Sequence, residues 1–185
     1  MESIYFQIMF MVIGMALPDR KRQRLKSFDY STPGCYFVTI LTHKRQMLFW
    51  SNGKINKLGK IVEKKICELP QHFRFIKIDN FVIMPDHIHL LVTIGCDALP
   101  KSDEILFKDL RKQINYPNLS DIIGSLKSYS TKEIHQLYPE LQIWHKSFYD
   151  HIITNQKDYD ETWDYIEANP IRWKIKIEQN KKQQP

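Results

Sequence analysis

The chain has 185 residues, 43% of them hydrophobic, which suits one ordinary domain with a real core. Its three cysteines, Cys35, Cys67 and Cys96, form no C-x-x-C pair, which argues against a disulfide scaffold or a zinc knuckle and favours a reducing cytoplasm. The formal net charge of +6 suits a polyanionic partner, but many cytosolic proteins are mildly basic, so charge alone leaves nucleic acid binding open.

Both ends of the chain differ in composition from the domain expected at residues 20–173. Residues 1–19 form an apolar extension that is short for a membrane span and lacks the features of a signal peptide. We expect the natural product to begin at Met15, with a membrane-associating N-terminus as the alternative. The basic segments, residues 20–26 and 174–185, could follow a phosphate backbone or be solvated tails.

The first half of the domain alternates between strand and helix patterns. The β-rich run Cys35–Thr42 follows a turn signal and predicts a strand. A stripe of apolar residues with helical spacing comes next, and Pro70 is expected to end this helix. Two strands follow, residues 73–85 and 87–94, joined by a tight turn. The first of them is expected to be bulged near Asp79-Asn80.

The second half begins with a polar, charged region from Gly95 to Pro117. A helix with Ser120 as its expected N-cap comes next, then an extended segment, then a helix expected to open at Asp158 and stop before Pro170. The order β-α-β-β-α-β-α, with two helices on one face of an antiparallel sheet, predicts an α+β domain of ferredoxin-like architecture. The sequence contains no Gly-rich phosphate loop or Rossmann fingerprint.

The segment MPDHIHLLV, residues 84–92, carries two histidines two positions apart. Because alternate side chains of a strand share a face, His87 and His89 project together, and the apolar residues that alternate with them form the core side. Two neighbouring imidazoles are a ready half of a metal site, but they could equally be half-exposed strand residues that make ordinary hydrogen bonds. Leu91 stands where the HxHxH pattern of HIT-type hydrolases has its third histidine, so any further ligand must come from elsewhere.

The last predicted helix supplies a second pair of candidates. Tyr165 lies off the apolar stripe of that helix, and Asn169, one turn later, lies on the same side. The two could overlook the histidine face of the sheet. Alternatively, Tyr165 is a surface aromatic residue and Asn169 before Pro170 is an ordinary helix end.

Four segments together resemble the single-tyrosine HUH transposases, and among these the REP-associated tyrosine transposase branch. They are YFVTILT, FVIMPDHIHLLV, W-x-x-x-F-Y-D-H-I-I and DYIEANPIRW, and the likeness runs from about Arg20 to Trp173. HUH denotes histidine, a bulky hydrophobic residue and histidine, here residues 87–89. The branch places its tyrosine in a Tyr-Ile-x-x-Asn-Pro segment, here residues 165–170.

The resemblance implies an HUH endonuclease fold and a DNA-cleaving site. It implies that His87, His89 and Asn169 hold a divalent metal, Mg²⁺ or Mn²⁺, on the scissile phosphate of single-stranded DNA with imperfect hairpins. It implies that Tyr165 attacks this phosphate, giving a 5′-phosphotyrosine and a 3′-OH, and that another 3′-OH reverses the step. The alternative is a catalytically inactive hairpin DNA- or RNA-binding protein of the same fold. A replication initiator or relaxase is disfavoured because those proteins are usually longer.

DNA contacts are expected from basic side chains. The candidates are Arg20, Lys21, Arg22 and Arg24 near the start of the domain, and Lys127 and Lys132 on the second helix. The resemblance leaves open a monomer or a homodimer. We expect the protein to be cytoplasmic, without stable membrane association.

The sequence departs from the pattern of the branch at two places. Asp86 stands where Asn is common, and we expect little effect because the turn should point it away from the histidine face. His145-Lys146 replaces a common Gln-Arg pair. His145 is therefore either a further polar group near the site or a surface residue.

Overall fold

The computed structural model describes residues 29–95 and 114–182, with side chains up to Gln179. These ranges contain six strands, three α-helices and a single 3₁₀ turn, His43–Arg45. In chain order the elements are β1 (Gly34–Leu41), β2 (Trp50–Ser51), β3 (Lys54–Ile55), α1 (Lys57–His72), β4 (Ile76–Ile83), β5 (His87–Ile94), α2 (Leu119–His135), β6 (Tyr149–Ile153) and α3 (Gln156–Lys182).

The main sheet is antiparallel, with the strand order β4-β5-β1-β6. The two inner strands are β5 and β1, while β2 and β3 form a small separate ribbon. This order, with α1 and α2 as the two crossovers, is the split β-α-β arrangement. The predicted α+β, ferredoxin-like antiparallel sheet is therefore confirmed.

One face of the sheet meets α1 and α2 in the main hydrophobic core, because alternate strand residues are apolar there. The core-side residues of β5 are buried as the alternation predicts, namely Ile88, Leu90, Val92 and Ile94. On the opposite face α3 lies over β4 and β5. There Ile166 packs against Phe37 and Leu91. The prediction of two helices on one face is right, and the third helix covers part of the other.

The hairpin between β4 and β5 matches the pattern of the sequence. The register of β4 shifts between Ile78 and Asn80, which confirms the predicted bulge. The backbone N–H of Met84 donates to the carbonyl oxygen of His87 at 2.8 Å, which closes the predicted tight turn. The hairpin thereby places His87 at the first position of an inner strand.

The predicted ends of the helices are wrong at both prolines. Helix α1 continues past Pro70 to His72, and α3 runs through Pro170 to Lys182. A proline removes one backbone hydrogen bond and crowds the preceding turn. Tertiary packing outweighs that cost in α3, since Ile166 and Asn169 before the proline are both buried.

Two predicted starts also differ from the structure. The side chain of Asn118 caps α2 by accepting from the backbone N–H of Ser120 at 2.8 Å, so Ser120 is not the cap. Asp158 lies within the first turn of α3, where its N–H donates to the side chain of Asn155 at 3.0 Å. In both cases an asparagine two or three residues before the predicted start provides the capping oxygen.

Several predictions fall on residues that the structure does not describe. These are the apolar extension 1–19, the basic segment 20–26, Cys96 and most of the polar region 95–117. At the other end, residues 174–182 continue α3, so the expected boundary after residue 173 lies inside a helix. No helix within the described ranges is both long enough and apolar enough to span a membrane.

Candidate active site

His87 and His89 lie at the start of β5, on the face of the sheet toward α3. They are 8% and 4% exposed, and their ring centroids are 4.7 Å apart at an interplanar angle of 74°. The alternative of half-exposed strand histidines is therefore wrong. Because β5 is paired on both edges, the backbone that carries the two rings is fixed on both sides.

His89 has one ring nitrogen paired and the other free. Its Nδ1 lies 2.8 Å from Oγ1 of Thr39, the residue directly opposite on β1. Its Nε2 is buried and has no hydrogen-bond partner among the described residues. Burial holds the pKa of His89 well below its usual range, and the positive charges of His87 and Arg45 lower it further. A neutral ring that gives its Nδ1 proton to Thr39 presents a lone pair at Nε2.

Asp86 orients His87, so the expectation that it points away from the histidine face is wrong. Its carboxylate is buried and accepts from Nδ1 of His87 at 2.6 Å and from Nε of Arg45 at 2.8 Å. Burial raises the pKa of Asp86, but the hydrogen bond from His87 and the charges of His87 and Arg45 lower it more, and the net shift is downward. An ionised Asp86 fixes the proton of His87 on Nδ1 and leaves Nε2 free for another partner.

Helix α3 places Tyr165 beside this histidine pair. The ring centroid of Tyr165 is 5.3 Å from that of His89 and 5.8 Å from that of Phe37, which it meets edge-on. Phe37 in turn stacks on His89 at 5.1 Å. The structure therefore brings together the tyrosine and the histidines that the sequence singled out, and their chemical roles stay predictions.

Asn169 lies one turn after Tyr165 and is 9% exposed. Its Nδ2 donates to the backbone carbonyl of Tyr165 at 3.2 Å, which leaves the side-chain oxygen as an acceptor. The contacts of the described residues include none between Asn169 and either histidine. Its role as a metal ligand stays a prediction.

A metal site can be tested against the donors present. Within the described ranges, no three His, Cys, Asp or Glu side chains come together as a metal-binding group. Asp86 is occupied by His87 and Arg45. The buried, unpaired Nε2 of His89, next to the second imidazole, nevertheless fits a divalent ion held by two nitrogens and by neutral oxygen ligands.

Arg172 and Tyr149 also lie at the site, and neither was predicted from the sequence. The guanidinium carbon of Arg172 lies 5.5 Å from the ring centre of Tyr165, and its position in the segment DYIEANPIRW, near Asn169, was the available signal. Tyr149 lies on the edge strand β6, pairs across the sheet with Thr39 and is 48% exposed, so it borders the site at the edge of the sheet.

Of the predicted DNA-binding residues, the structure describes Lys127 and Lys132, and neither lies at this site. The ammonium of Lys127 binds the carbonyl oxygens of residues 145–147 at 3.0, 3.4 and 3.0 Å, and so ties the loop before β6 to α2. Lys132 lines a groove between α1 and α2, behind the sheet as seen from Tyr165. The other four candidates lie outside the described residues: Arg20, Lys21, Arg22 and Arg24.

His145, which the sequence left open as a site residue, is exposed. Its Nδ1 accepts from the backbone N–H of Ser147 at 3.2 Å. Among the described contacts none joins the ring to His87 or His89. The structure therefore favours the surface alternative.

A strand with a His-x-His pattern lies beside a tyrosine carried by a helix. Together with the sheet topology, this defines the fold as that of the HUH-type transposases. Comparison with known proteins then gives particular relatives. The chain is 29% identical over 161 residues to an uncharacterized protein of Haemophilus influenzae, covering 83% of this chain and 89% of that protein. It is also 29% identical over 154 residues to an H. influenzae protein described provisionally as a REP-associated tyrosine transposase, covering 78% and 74%.

A third relative is the REP-associated tyrosine transposase of Escherichia coli K12, 25% identical over 147 residues and covering 77% of this chain and 70% of that protein. Among solved structures, that of a REP-associated tyrosine transposase bound to a REP hairpin has the same fold, with a TM-score of 0.53, 21% identity and coverage of 82% and 73%. No family model matches the chain. The chain is thus a relative of the REP-associated tyrosine transposases, and the resemblance in its motifs is confirmed.

Proposed function

We propose that this protein cleaves and rejoins single-stranded, hairpin-containing DNA through a 5′-phosphotyrosine on Tyr165. The observation that carries the proposal is the packing of Tyr165 against His89, which joins two elements far apart in the chain. Relatives named as transposases support a DNA-processing enzyme, and the solved transposase of the same fold holds a REP hairpin. Hairpin DNA is therefore the substrate we favour, and the cytoplasm is where the protein would meet it.

We further propose that His87 and His89 hold Mg²⁺ or Mn²⁺ through their Nε2 atoms, with the side-chain oxygen of Asn169 as a third ligand. When bound, such an ion supplies a Lewis acid and a template for the oxygens of the scissile phosphate. Asp86 and Thr39 keep the two rings in the tautomers that leave Nε2 free. Burial keeps His89 neutral, so it does not repel a cation.

The reaction also requires that the nucleophile, Tyr165, be correctly oriented toward the phosphate. The ring of Tyr165 contacts Phe37, His89 and Arg172, and this restricts its orientation before substrate arrives. Its Oη forms the bond to phosphorus as the bond from phosphorus to the 3′ oxygen breaks, and the phenolic proton passes to water or to the departing oxygen. The phosphodiester energy is kept in the new ester, so a 3′-OH can reverse the step without ATP.

The open side of the site suits a single strand. Bases of single-stranded DNA stack on exposed aromatic rings with little sequence preference. Tyr149 offers such a ring opposite Thr39, at the start of the edge strand β6. We infer that the strand next to the scissile phosphate crosses β6 at this residue.

The test is covalent capture on stem-loops that flank the gene for this protein, with single-stranded extensions and with Mg²⁺, Mn²⁺ or EDTA. Wild-type protein should give a metal-dependent adduct that resists SDS, with the DNA on the peptide that contains Tyr165. Tyr165→Phe should give none while it still binds the hairpin. The matched control is Tyr159→Phe, which alters a tyrosine six residues earlier on α3 that packs on the sheet.

Two results would contradict the proposal. Normal adduct formation by Tyr165→Phe would exclude this tyrosine as the nucleophile. Wild-type protein that binds these hairpins and forms no adduct with any of them would favour the inactive hairpin-binding protein instead. Equal adduct formation with and without EDTA would contradict the proposed metal site but not the proposed role of Tyr165.

A further inference from the structure

Arg172 lies beside the proposed nucleophile with its donors unused. Its guanidinium carbon is 5.5 Å from the ring centre of Tyr165, two turns earlier on α3. Its Nε and Nη2 atoms are buried and have no hydrogen-bond partner among the described residues. Within those residues the guanidinium is also paired with no carboxylate, whereas Arg45 binds Asp86.

Such an arrangement is unfavourable unless an anion completes it. The guanidinium keeps its charge at every accessible pH and offers five donors in a planar fork. A buried donor left without an acceptor is destabilising, and a charged donor more so. The cation–π contact with Tyr165 offsets part of this cost but leaves Nε and Nη2 without a hydrogen-bond acceptor. The unpaired nitrogens therefore favour a negatively charged group brought in by the substrate.

We propose that Arg172 binds the phosphate that Tyr165 attacks. Its guanidinium donates two hydrogen bonds, either both to one non-bridging phosphate oxygen or one to each of the two. This inference rests on the proposed function. A phosphate joined to Oη is bonded to the ring that the guanidinium covers, and the planar fork matches phosphate oxygens. Arg172 and Tyr165 share one helix, so the pair moves as a unit, while His87 and His89 approach from the sheet. The covalent intermediate keeps the same contact.

The inference is tested by pairing variants of the protein with a modified substrate. The variants are Arg172→Gln and Arg172→Lys, and the control is Lys174→Gln, which alters an exposed cation two residues later on α3. The substrates are a reactive stem-loop and the same DNA with one non-bridging oxygen of the scissile phosphate replaced by methyl, as each of the two diastereomers. The readouts are the rate of adduct formation and hairpin affinity in a Tyr165→Phe background.

We expect Arg172→Gln to slow adduct formation by about 10²–10³-fold, the usual effect of removing a donor aimed at the reacting oxygens. Arg172→Lys should lose less, because it keeps the charge without the fork, and Lys174→Gln should stay within about twofold of wild type. With one methyl diastereomer the penalty of Arg172→Gln should disappear, because both changes remove the same contact and are therefore not additive. Hairpin affinity should change by less than about fivefold, since one phosphate contact is a small part of binding.

The possible failures are distinct. A wild-type rate for Arg172→Gln would overturn the role of Arg172 and leave the proposed function standing. Arg172→Gln could instead slow adduct formation by the same factor on both methyl diastereomers as on the unmodified DNA. That result would show that Arg172 only positions the ring, which also overturns the proposal. The absence of any adduct with wild-type protein would overturn the proposed function and this inference together. Thermal unfolding checks the fold of each variant. If Arg172→Gln is unfolded, the same rates with the unmodified and methyl-substituted DNA are compared between Arg172→Lys and wild type.

Discussion

Replacing Asp86 tests whether the turn before β5 fixes the orientation and tautomer of His87 for metal binding. Asp86→Ala removes the acceptor of both His87 Nδ1 and Arg45 Nε. Asp86→Asn keeps an amide oxygen that can accept from His87 in the same place. We therefore expect a large effect from alanine and a small one from asparagine.

The structure sets the magnitude of the alanine effect. The contact of Asp86 with His87 is buried at both ends, so its loss leaves a ring N–H without an acceptor and costs about 1–3 kcal/mol. The contact with Arg45 adds less than about 1 kcal/mol, because the arginine side chain is 48% exposed. The free energy of unfolding should therefore fall by about 1–4 kcal/mol. Affinity for Mn²⁺ should fall by about 10–100-fold, the usual value of a carboxylate behind a metal-binding histidine.

The pH dependence of this difference has a definite sign. The pKa of Asp86 in the folded protein is lowered from its ordinary value of 3.8. The stabilisation from the carboxylate is therefore fully present above that ordinary value and is lost as the pH falls through the lowered one. The difference in stability between wild type and Asp86→Ala should shrink in acid.

Three measurements check the prediction: urea unfolding, Mn²⁺ binding by electron paramagnetic resonance, and the ring tautomer of His87 by ¹⁵N NMR. The control variant Arg45→Gln removes only the half-exposed partner, and we expect a loss of less than about 1 kcal/mol and an unchanged tautomer. The reasoning would be refuted if Asp86→Ala kept wild-type affinity for Mn²⁺ and left the proton on Nδ1 of His87.

Three further predictions concern other parts of the molecule. Tyr149→Ala should weaken binding of single-stranded extensions by about 1–3 kcal/mol in fluorescence anisotropy. Tyr129→Ala, which alters a similarly exposed tyrosine behind the sheet, should not, and equal losses would contradict stacking at β6. Cys35 should resist iodoacetamide at neutral pH while exposed Cys67 reacts, because burial raises the pKa of Cys35 to about 11. Peptide mass spectrometry measures this, and a fast-reacting Cys35 would mean that α3 lifts from the sheet. Lys127→Met should lower the free energy of unfolding by about 1 kcal/mol and leave the salt dependence of DNA binding unchanged, whereas a shallower salt slope would show that Lys127 contacts phosphate.

Local pattern was enough to predict the sheet and the histidine face. Alternation along β5 follows from strand geometry, so His87 and His89 had to share a side once the apolar residues took the core. The turn before β5 and the bulge at Asp79-Asn80 were likewise predictable, because turn residues act through their own backbone preferences. The order of strands and helices then left few topologies other than the split β-α-β sheet.

Local pattern failed where packing competes with backbone preference. Pro70 and Pro170 predicted helix ends, yet both helices continue through them. The loss of one hydrogen bond is a local cost that can be read from the sequence. The burial of Ile166 and Asn169 against the sheet is a non-local gain that cannot.

The sequence by itself determined which elements form, which side of β5 carries the histidines, and the resemblance that singled out Tyr165. Only the tertiary structure decided that Asp86 turns inward to His87, that Lys127 holds a loop, and that Arg172 covers the ring of Tyr165. The physical reason is range. Helix and strand periodicity depend on neighbours within a few residues, whereas the partner of a buried charge is set by whichever distant element the folded chain packs beside it.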